Sequence, residues 1–170
     1  LPVLNEGAVE AAVKIGKAID ADIPEETRFH RKNYYYPDLP KNFQITQYDE
    51  PICQAGELEI AVEGQRRTVA IERAHLEEDP GSLQHVGGGG GIDSAEYTLV
   101  DYNRAGTPLM EIVTAPDFRS PGEVRAFLAE LEEVLEYLGV FDAERDGSLR
   151  IDANLSIIPA EEIDGDDTDE

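Results

Sequence analysis

Two segments of the chain repeat apolar residues at helical spacing. Over residues 6–19, Ala8, Val9, Ala12, Val13 and Ile19 form one stripe behind Asn5, a residue suited to capping a helix N-terminus. Over 121–138, Val124, Phe127, Leu128, Leu131, Leu135 and Leu138 form another, and Gly139 ends it. Ser120-Pro121-Gly122-Glu123 opens this second helix as a capping box with proline at the first helical position. Elsewhere the period is two. Leu58, Ile60 and Val62 alternate, Glu63-Gly64 can turn the chain, and Val69 and Ile71 alternate again, which predicts a hairpin. On its second strand Val69, Ile71, Arg73, His75 and Glu77 would share one face and Glu78 the other. Gln44–Asp49, Tyr97–Tyr102 and Leu109–Val113 also read as extended. Leu149, Ile151, Ala153, Leu155 and Ile157 alternate with Arg150, Asp152, Asn154 and Ser156, which predicts a strand with a core face and a polar face. The pattern implies an α+β fold, a mixed or antiparallel sheet with hairpins covered by two helices.

Composition narrows the class. The 170 residues hold 37 acidic against 14 basic side chains, a net charge of −23. Acid spread along the chain fits a solvating surface and suggests a cytoplasmic protein of a salt-rich cell, where screening relieves the self-repulsion. It argues against a broad basic nucleic-acid surface, though not against a local arginine contact. A single cysteine, Cys53, excludes an internal disulfide framework and a cysteine-rich zinc site. No apolar run approaches the roughly 20 residues that span a bilayer, and no signal-peptide pattern is present. A start at Leu1-Pro2-Val3-Leu4 suggests a piece of a longer protein.

The candidate chemistry centres on His75-Leu76-Glu77-Glu78-Asp79 at the end of the hairpin's second strand. Carboxylates and an imidazole delivered there can hold a divalent cation. Spacing does not decide which of Glu77 and Glu78 faces it. Glu111, a carboxylate inside a short apolar strand, needs a partner, and Asp101-Tyr102-Asn103-Arg104 and Arg150-Ile151-Asp152-Ala153-Asn154 offer further oxygen and arginine groups. Arg28 to Lys41 is the one basic and aromatic island. Pro37 and Pro40 forbid a regular helix through it. It reads either as a loop that meets phosphate or stacked rings, or as tyrosines packed under a long loop. Gly87–Gly91 leads into a strand-like run rather than a helix, so a flexible loop is favoured over a phosphate cradle.

Four motifs together resemble the GatB component of the tRNA-dependent amidotransferase. They are Arg31-Lys32-Asn33-Tyr34-Tyr35-Tyr36-Pro37-Asp38, His75-Leu76-Glu77-Glu78-Asp79, Asp101-Tyr102-Asn103-Arg104-Ala105-Gly106-Thr107-Pro108-Leu109 and Gly147-Ser148-Leu149-Arg150-Ile151-Asp152-Ala153-Asn154. The resemblance runs from Leu1 to about Ile157, and the acidic composition is similar to that of haloarchaeal members. It implies a partial catalytic domain over 1–157, with 158–170 an acidic, disordered end. The resemblance further implies a ligase component that uses ATP to phosphorylate the side-chain carboxylate of Asp or Glu on misacylated tRNA. Ammonia released from glutamine by the amidase subunit then displaces phosphate, in a heterotrimer completed by a small third subunit. Glu78, Glu111 and Asp152 would be the catalytic carboxylates that hold Mg2+, with His75 and Glu77 at the same metal. Arg31, Lys32, Asn33, Tyr34, Asn103, Arg104, Arg150 and Asn154 would bind phosphate or substrate. The family's upstream strand and C-terminal helical regions are not in this sequence, the five-glycine stretch is foreign to the pattern, and Ala115 stands where a glutamate is common. A central segment is therefore expected, and a non-catalytic piece that only binds partner subunits is the alternative.

Overall fold

The computed structural model describes residues 3–87, 95–144 and 148–157. Helix α1 (Glu6–Ala18) begins where the Asn5 side chain accepts the Ala8 N–H. Among the described residues seven strands follow: β1 (His30–Asn33), β2 (Phe43–Thr46), β3 (Cys53–Val62), β4 (Gln65–Glu78), β5 (Ser82–Val86), β6 (Tyr97–Asp101) and β7 (Pro108–Thr114). Helix α2 (Pro121–Tyr137) closes the order, with the Ser120 hydroxyl accepting the Glu123 N–H and proline in the first turn. The strands make three antiparallel sheets, β1-β2, β3-β4-β7 and β5-β6. The fold is thus α+β, with antiparallel sheets and the two expected helices. Among the described residues no helix is long and apolar enough to cross a membrane.

The β3–β4 hairpin turns at Glu63 and Gly64, both at positive φ (52° and 81°), the pairing that suits the right-handed twist of a two-residue hairpin loop. One core forms beneath it. Ala12 and Ile15 of α1, Ile19 at its C-cap, and Phe127, Leu131 and Leu135 of α2 pack on Leu58, Ile60, Val69, Ile71, Ala74 and Leu76. Gly16 and Gly56 let α1 and its C-terminal turn approach β3 closely. A Cβ on Gly16 would lie 2.5 Å from Cys53 Sγ, and one on Gly56 would lie 2.8 Å from the Ile19 carbonyl oxygen.

The alternation along β4 is not continuous. The β4–β7 register shifts between Ile71 and Arg73, so Glu72 is an extra residue, and the facing Ala55 of β3 sits at φ 49°. Such a bulge reverses the side-chain phase. Val69 and Ile71 face the core before it, and Ala74 and Leu76 after it. The expectation that Val69, Ile71, Arg73, His75 and Glu77 share one face is therefore corrected: the last three lie opposite the first two.

Two further expectations change, and one strand forms where none was expected. Residues His30–Asn33, expected in a loop, form β1 because β2 supplies a pairing edge. Strand β5, which has no alternating apolar pattern, is recruited by β6. Leu149–Ile157 is not a strand, and Arg150 to Ile157 is exposed. Alternation makes a strand only where a neighbouring edge accepts its backbone groups, and among the described residues none pairs with this stretch. Most of the glycine run and residues 158–170 lie outside the described residues.

Candidate metal site

Strand β4 outruns its neighbour. Its pairing with β3 ends at Cys53 opposite Ala74, while β7 continues beside it to Glu78. The edge that β3 leaves open is closed by side chains. The buried Gln47 amide oxygen accepts the Leu76 N–H at 3.0 Å and the Ile52 N–H at 3.2 Å. The Gln44 side-chain amide donates to the Glu78 carbonyl at 2.8 Å. These contacts seat the β1–β2 hairpin against the end of β4 without a backbone ladder among the described residues.

Beyond the bulge, His75 and Glu77 emerge on the face away from the helical core. His75 pairs directly across from Glu111 of β7, and opposed residues put their side chains on one face. His75 Nε2 lies 3.3 Å from Glu111 Oε2 and 3.8 Å from Glu77 Oε2. The Thr46 hydroxyl donates to Glu77 Oε2 at 3.3 Å. One donor atom each from His75, Glu77 and Glu111 lies within 4.8 Å of the others. Glu111, expected to need a partner inside an apolar strand, is instead exposed, its side chain 51% open to solvent, and meets His75 from the rim of the group.

The electrostatics suit a cation. Burial holds the His75 imidazole below its ordinary pKa, outweighing the nearby Glu111, and Arg73 and Lys32 push the same way. The 3.3 Å approach therefore joins a neutral ring to a carboxylate rather than an ion pair. His75 Nδ1 is buried without a hydrogen-bond partner. Burial raises the Glu77 carboxyl, and Glu111 adds to the rise, while the Thr46 hydrogen bond and Lys32 oppose it. A neutral imidazole beside two carboxylates that repel one another fits a divalent cation bound through nitrogen and oxygen.

Glu78 is not in this group. Lys41 Nζ contacts both of its carboxylate oxygens at 2.5 and 2.6 Å, and the Ile45 N–H donates to it at 2.8 Å. Expected at the metal, it instead ties β2 and the turn that precedes it to β4, because adjacent strand residues point to opposite faces. Asp152 is also outside the group. Its carboxylate pairs with Arg150 at 3.0 Å on the exposed, unpaired stretch, where Asn154 also lies. Arg104 pairs with Asp79 at 2.8 Å, and Asn103 bonds Asp101 at 2.6 Å.

From the basic island, Lys32 acts electrostatically on both His75 and Glu77. Its ammonium lies 5.5 Å from the Tyr34 ring centroid, and the Tyr34 hydroxyl is raised by burial and by Asp38, Glu77 and Glu78. Arg31 lies over the Phe43 ring at 5.5 Å, and the Asn33 amide donates to the Arg31 carbonyl at 3.4 Å. Thr46, Gln44 and Gln47 were not singled out from sequence, and Lys41 was read only as the end of the basic island. The only signal was that three of four residues in Gln44-Ile45-Thr46-Gln47 are polar within an extended run.

Comparison with known proteins agrees with these motifs. The sequence profile of the GatB/GatE catalytic domain matches residues 1–168. The chain is 80% identical over 163 residues to the aspartyl/glutamyl-tRNA(Asn/Gln) amidotransferase B subunit of Natronomonas pharaonis, covering 96% of this chain and 32% of that protein. A Haloarcula marismortui protein of the same name is 75% identical over 99% of the chain and 35% of its own length. One from Methanosarcina barkeri is 57% identical over 92% and 31%. The chain spans about a third of the length of these relatives. With nearly its whole length matched by that profile, the chain belongs to the GatB/GatE catalytic-domain family.

Proposed function

We propose that this chain is part of the catalytic domain of a multi-subunit ligase. The enzyme converts misacylated Asp-tRNA(Asn), Glu-tRNA(Gln) or both to the amidated forms, with glutamine as nitrogen donor. Its other components are an amidase subunit and a small third subunit. The names of its relatives support the reaction class. The observation that carries the reading is the His75–Glu77–Glu111 group beside Lys32.

A carboxylate is a poor acyl donor because oxide would have to leave. The side-chain carboxylate on the tRNA attacks the γ-phosphorus of ATP, ADP leaves, and an acyl phosphate forms. Ammonia then attacks the acyl carbon, phosphate leaves with the bonding electrons, and loss of a proton from nitrogen gives the amide. His75, Glu77 and Glu111 would hold Mg2+, which supplies charge neutralisation between ATP and the acceptor carboxylate. Lys32 adds a fixed positive charge on the same side, attracting phosphate. Thr46 orients Glu77, and the Glu78–Lys41 contact keeps the hairpin that carries Lys32 and Thr46 against β4.

The test is amide formation on misacylated tRNA by the full-length protein assembled with its amidase and small partner subunits, with ATP, Mg2+ and glutamine in high salt. Conversion of Asp-tRNA or Glu-tRNA is expected, and its loss in Glu77→Gln with glutaminase activity retained. No conversion by the intact assembly would overturn the reading in favour of a non-catalytic binding role.

A further inference from the structure

Among the described residues, four buried side-chain atoms have no hydrogen-bond partner: His30 Nε2, Asp38 Oδ1, Arg73 Nε and His75 Nδ1. Buried polar atoms are as a rule satisfied, and an orphan points to catalytic use or to an ion or water that fills it. Arg73 and His75 stand on one face of β4, about 7 Å apart along the strand. His30 opposes Thr46 in the β1–β2 hairpin, so it shares the face whose hydroxyl reaches Glu77. Three of the four orphans thus belong to the two surfaces that meet at the acids.

Arg73 owes its direction to the bulge. Without Glu72, period two would carry it onto the core face with Val69 and Ile71. The extra residue turns it to the side of His75 and Glu77. Its neighbours across the sheet are Gln54 of β3 and Val113 of β7, neither of them an anion. The guanidinium lies over the Tyr48 ring, 6.0 Å from its centroid, and the side chain is 31% exposed. The one carboxylate it approaches among the described residues, that of Glu72, is 3.8 Å from Nη1, beyond hydrogen-bond reach. A guanidinium always carries its charge, so loss of a proton cannot relieve the buried Nε. The arginines expected at the substrate are engaged elsewhere, Arg104 with Asp79 and Arg150 with Asp152. The charge of Arg73, by contrast, is felt by His75.

We infer that Arg73 is a substrate-binding residue, whose fork takes two oxygens of an oxyanion brought to the His75–Glu77–Glu111 group. This rests on the proposed amidation, in which both reactants carry such a group: the γ-phosphate of ATP and the side-chain carboxylate on the tRNA. A guanidinium supplies planar two-point recognition of either, and an ammonium does not. Lys32 enters from the hairpin as a point charge, and Arg73 enters from the sheet as a fork.

The test uses the full-length protein in its assembled enzyme. It measures kcat, the KM values for ATP and for misacylated tRNA, and Mn2+ affinity. Arg73→Met keeps a long stem and removes the charge. Its kcat/KM for amide formation is expected to fall about ten- to hundredfold, the range for a lost hydrogen bond to a charged group. Mn2+ affinity should hold or rise, because a neighbouring cation is gone. A rise confined to the ATP KM identifies the phosphate, and one confined to the tRNA KM identifies the carboxylate. A fall in kcat alone identifies the phosphoryl group in transfer. Arg73→Lys keeps the charge and should recover only part of the loss, since one ammonium cannot reproduce the fork. Full recovery by Arg73→Lys overturns the two-point contact. Unchanged kinetic constants in both variants overturn the inference and leave the amidation reading intact, even if the unfolding midpoint falls. Loss of Mn2+ affinity in step with activity overturns it too, because Arg73 would then only support the metal ligands. If Arg73→Met does not assemble, Arg73→Lys decides by the same constants. If the wild-type assembly amidates nothing, calorimetric binding of inorganic phosphate and of acetate with Mn2+ present still decides. Equal affinities in wild type and Arg73→Met overturn the inference, and weaker binding of either anion supports it.

Discussion

Glu77 and Glu78 are neighbours in the chain and opposites in the structure. Glu77 stands with His75 and Glu111, and Glu78 is held by Lys41 and the Ile45 N–H. The two substitutions should therefore separate. Glu77→Gln is expected to weaken Mn2+ binding, read by electron paramagnetic resonance, at least tenfold, since even groups behind metal ligands cost about 10–100-fold when removed. Glu78→Ala should instead lower stability by about 2–3 kcal/mol, because it leaves the Ile45 N–H and the Lys41 ammonium without their acceptor. Equal loss of Mn2+ affinity in both variants would show that Glu78 reaches the metal.

Gln47 is buried and accepts two backbone N–H groups, from Ile52 and Leu76. Gln47→Leu keeps the volume and removes the acceptor. Two stranded donors should cost about 2–5 kcal/mol. Thermal unfolding should show a midpoint lower by roughly 5–15 °C for a domain of this size. A shift of a degree or less would mean that water replaces the amide.

Gly16 faces Cys53 across the α1–β3 contact. In an exposed helix Gly→Ala would stabilise by about 1 kcal/mol. Here the new methyl would meet Cys53 Sγ, so Gly16→Ala is expected to destabilise in urea unfolding. Adding Cys53→Ala should recover part of the loss, and strict additivity of the two changes would refute the contact as its cause.

Burial pushes the Cys53 thiol up to about 11, from 9.0. The folded state therefore holds its proton over a range where the unfolded state has released it. Stability is fully present below the unfolded pKa and is lost as pH rises through the window between the two values. The loss should reach about 2–3 kcal/mol. The stability difference between wild type and Cys53→Ala should narrow across that window, and a pH-independent difference would contradict the shift.

Helices and the central hairpin were legible in the sequence because their signals are local. Asn5, Ser120 and Gly139 mark helix ends by chemistry, and Glu63-Gly64 marks a turn by its tolerance of positive φ. The motif around His75 lies where the structure gathers His75, Glu77 and Glu111, though Glu111 is exposed rather than buried among apolar neighbours. What period-two counting could not show was the extra residue at Glu72. It reverses the phase of everything after it, and nothing in Arg73 or Ala74 announces it. Nor could local pattern show that Leu149–Ile157 lacks a pairing edge, since a strand is a property of two segments. Thr46 and Gln47 stayed hidden for a related reason. Their roles arise from where β3 stops alongside β4, a tertiary fact.

The seam between β2 and β4 bears on how such a site changes over time. The acids sit on a laddered sheet that also closes the core, so moving them would re-thread the fold. The cation Lys32 rides on a hairpin joined to that sheet through Gln44, Ile45, Thr46 and Gln47, by bonds to which a side chain always contributes. A few substitutions along this seam can tilt the hairpin and re-aim its charge while the acids stay fixed. The hairpin's aim can thus be adjusted on one side of the seam while the acids keep their places on the other.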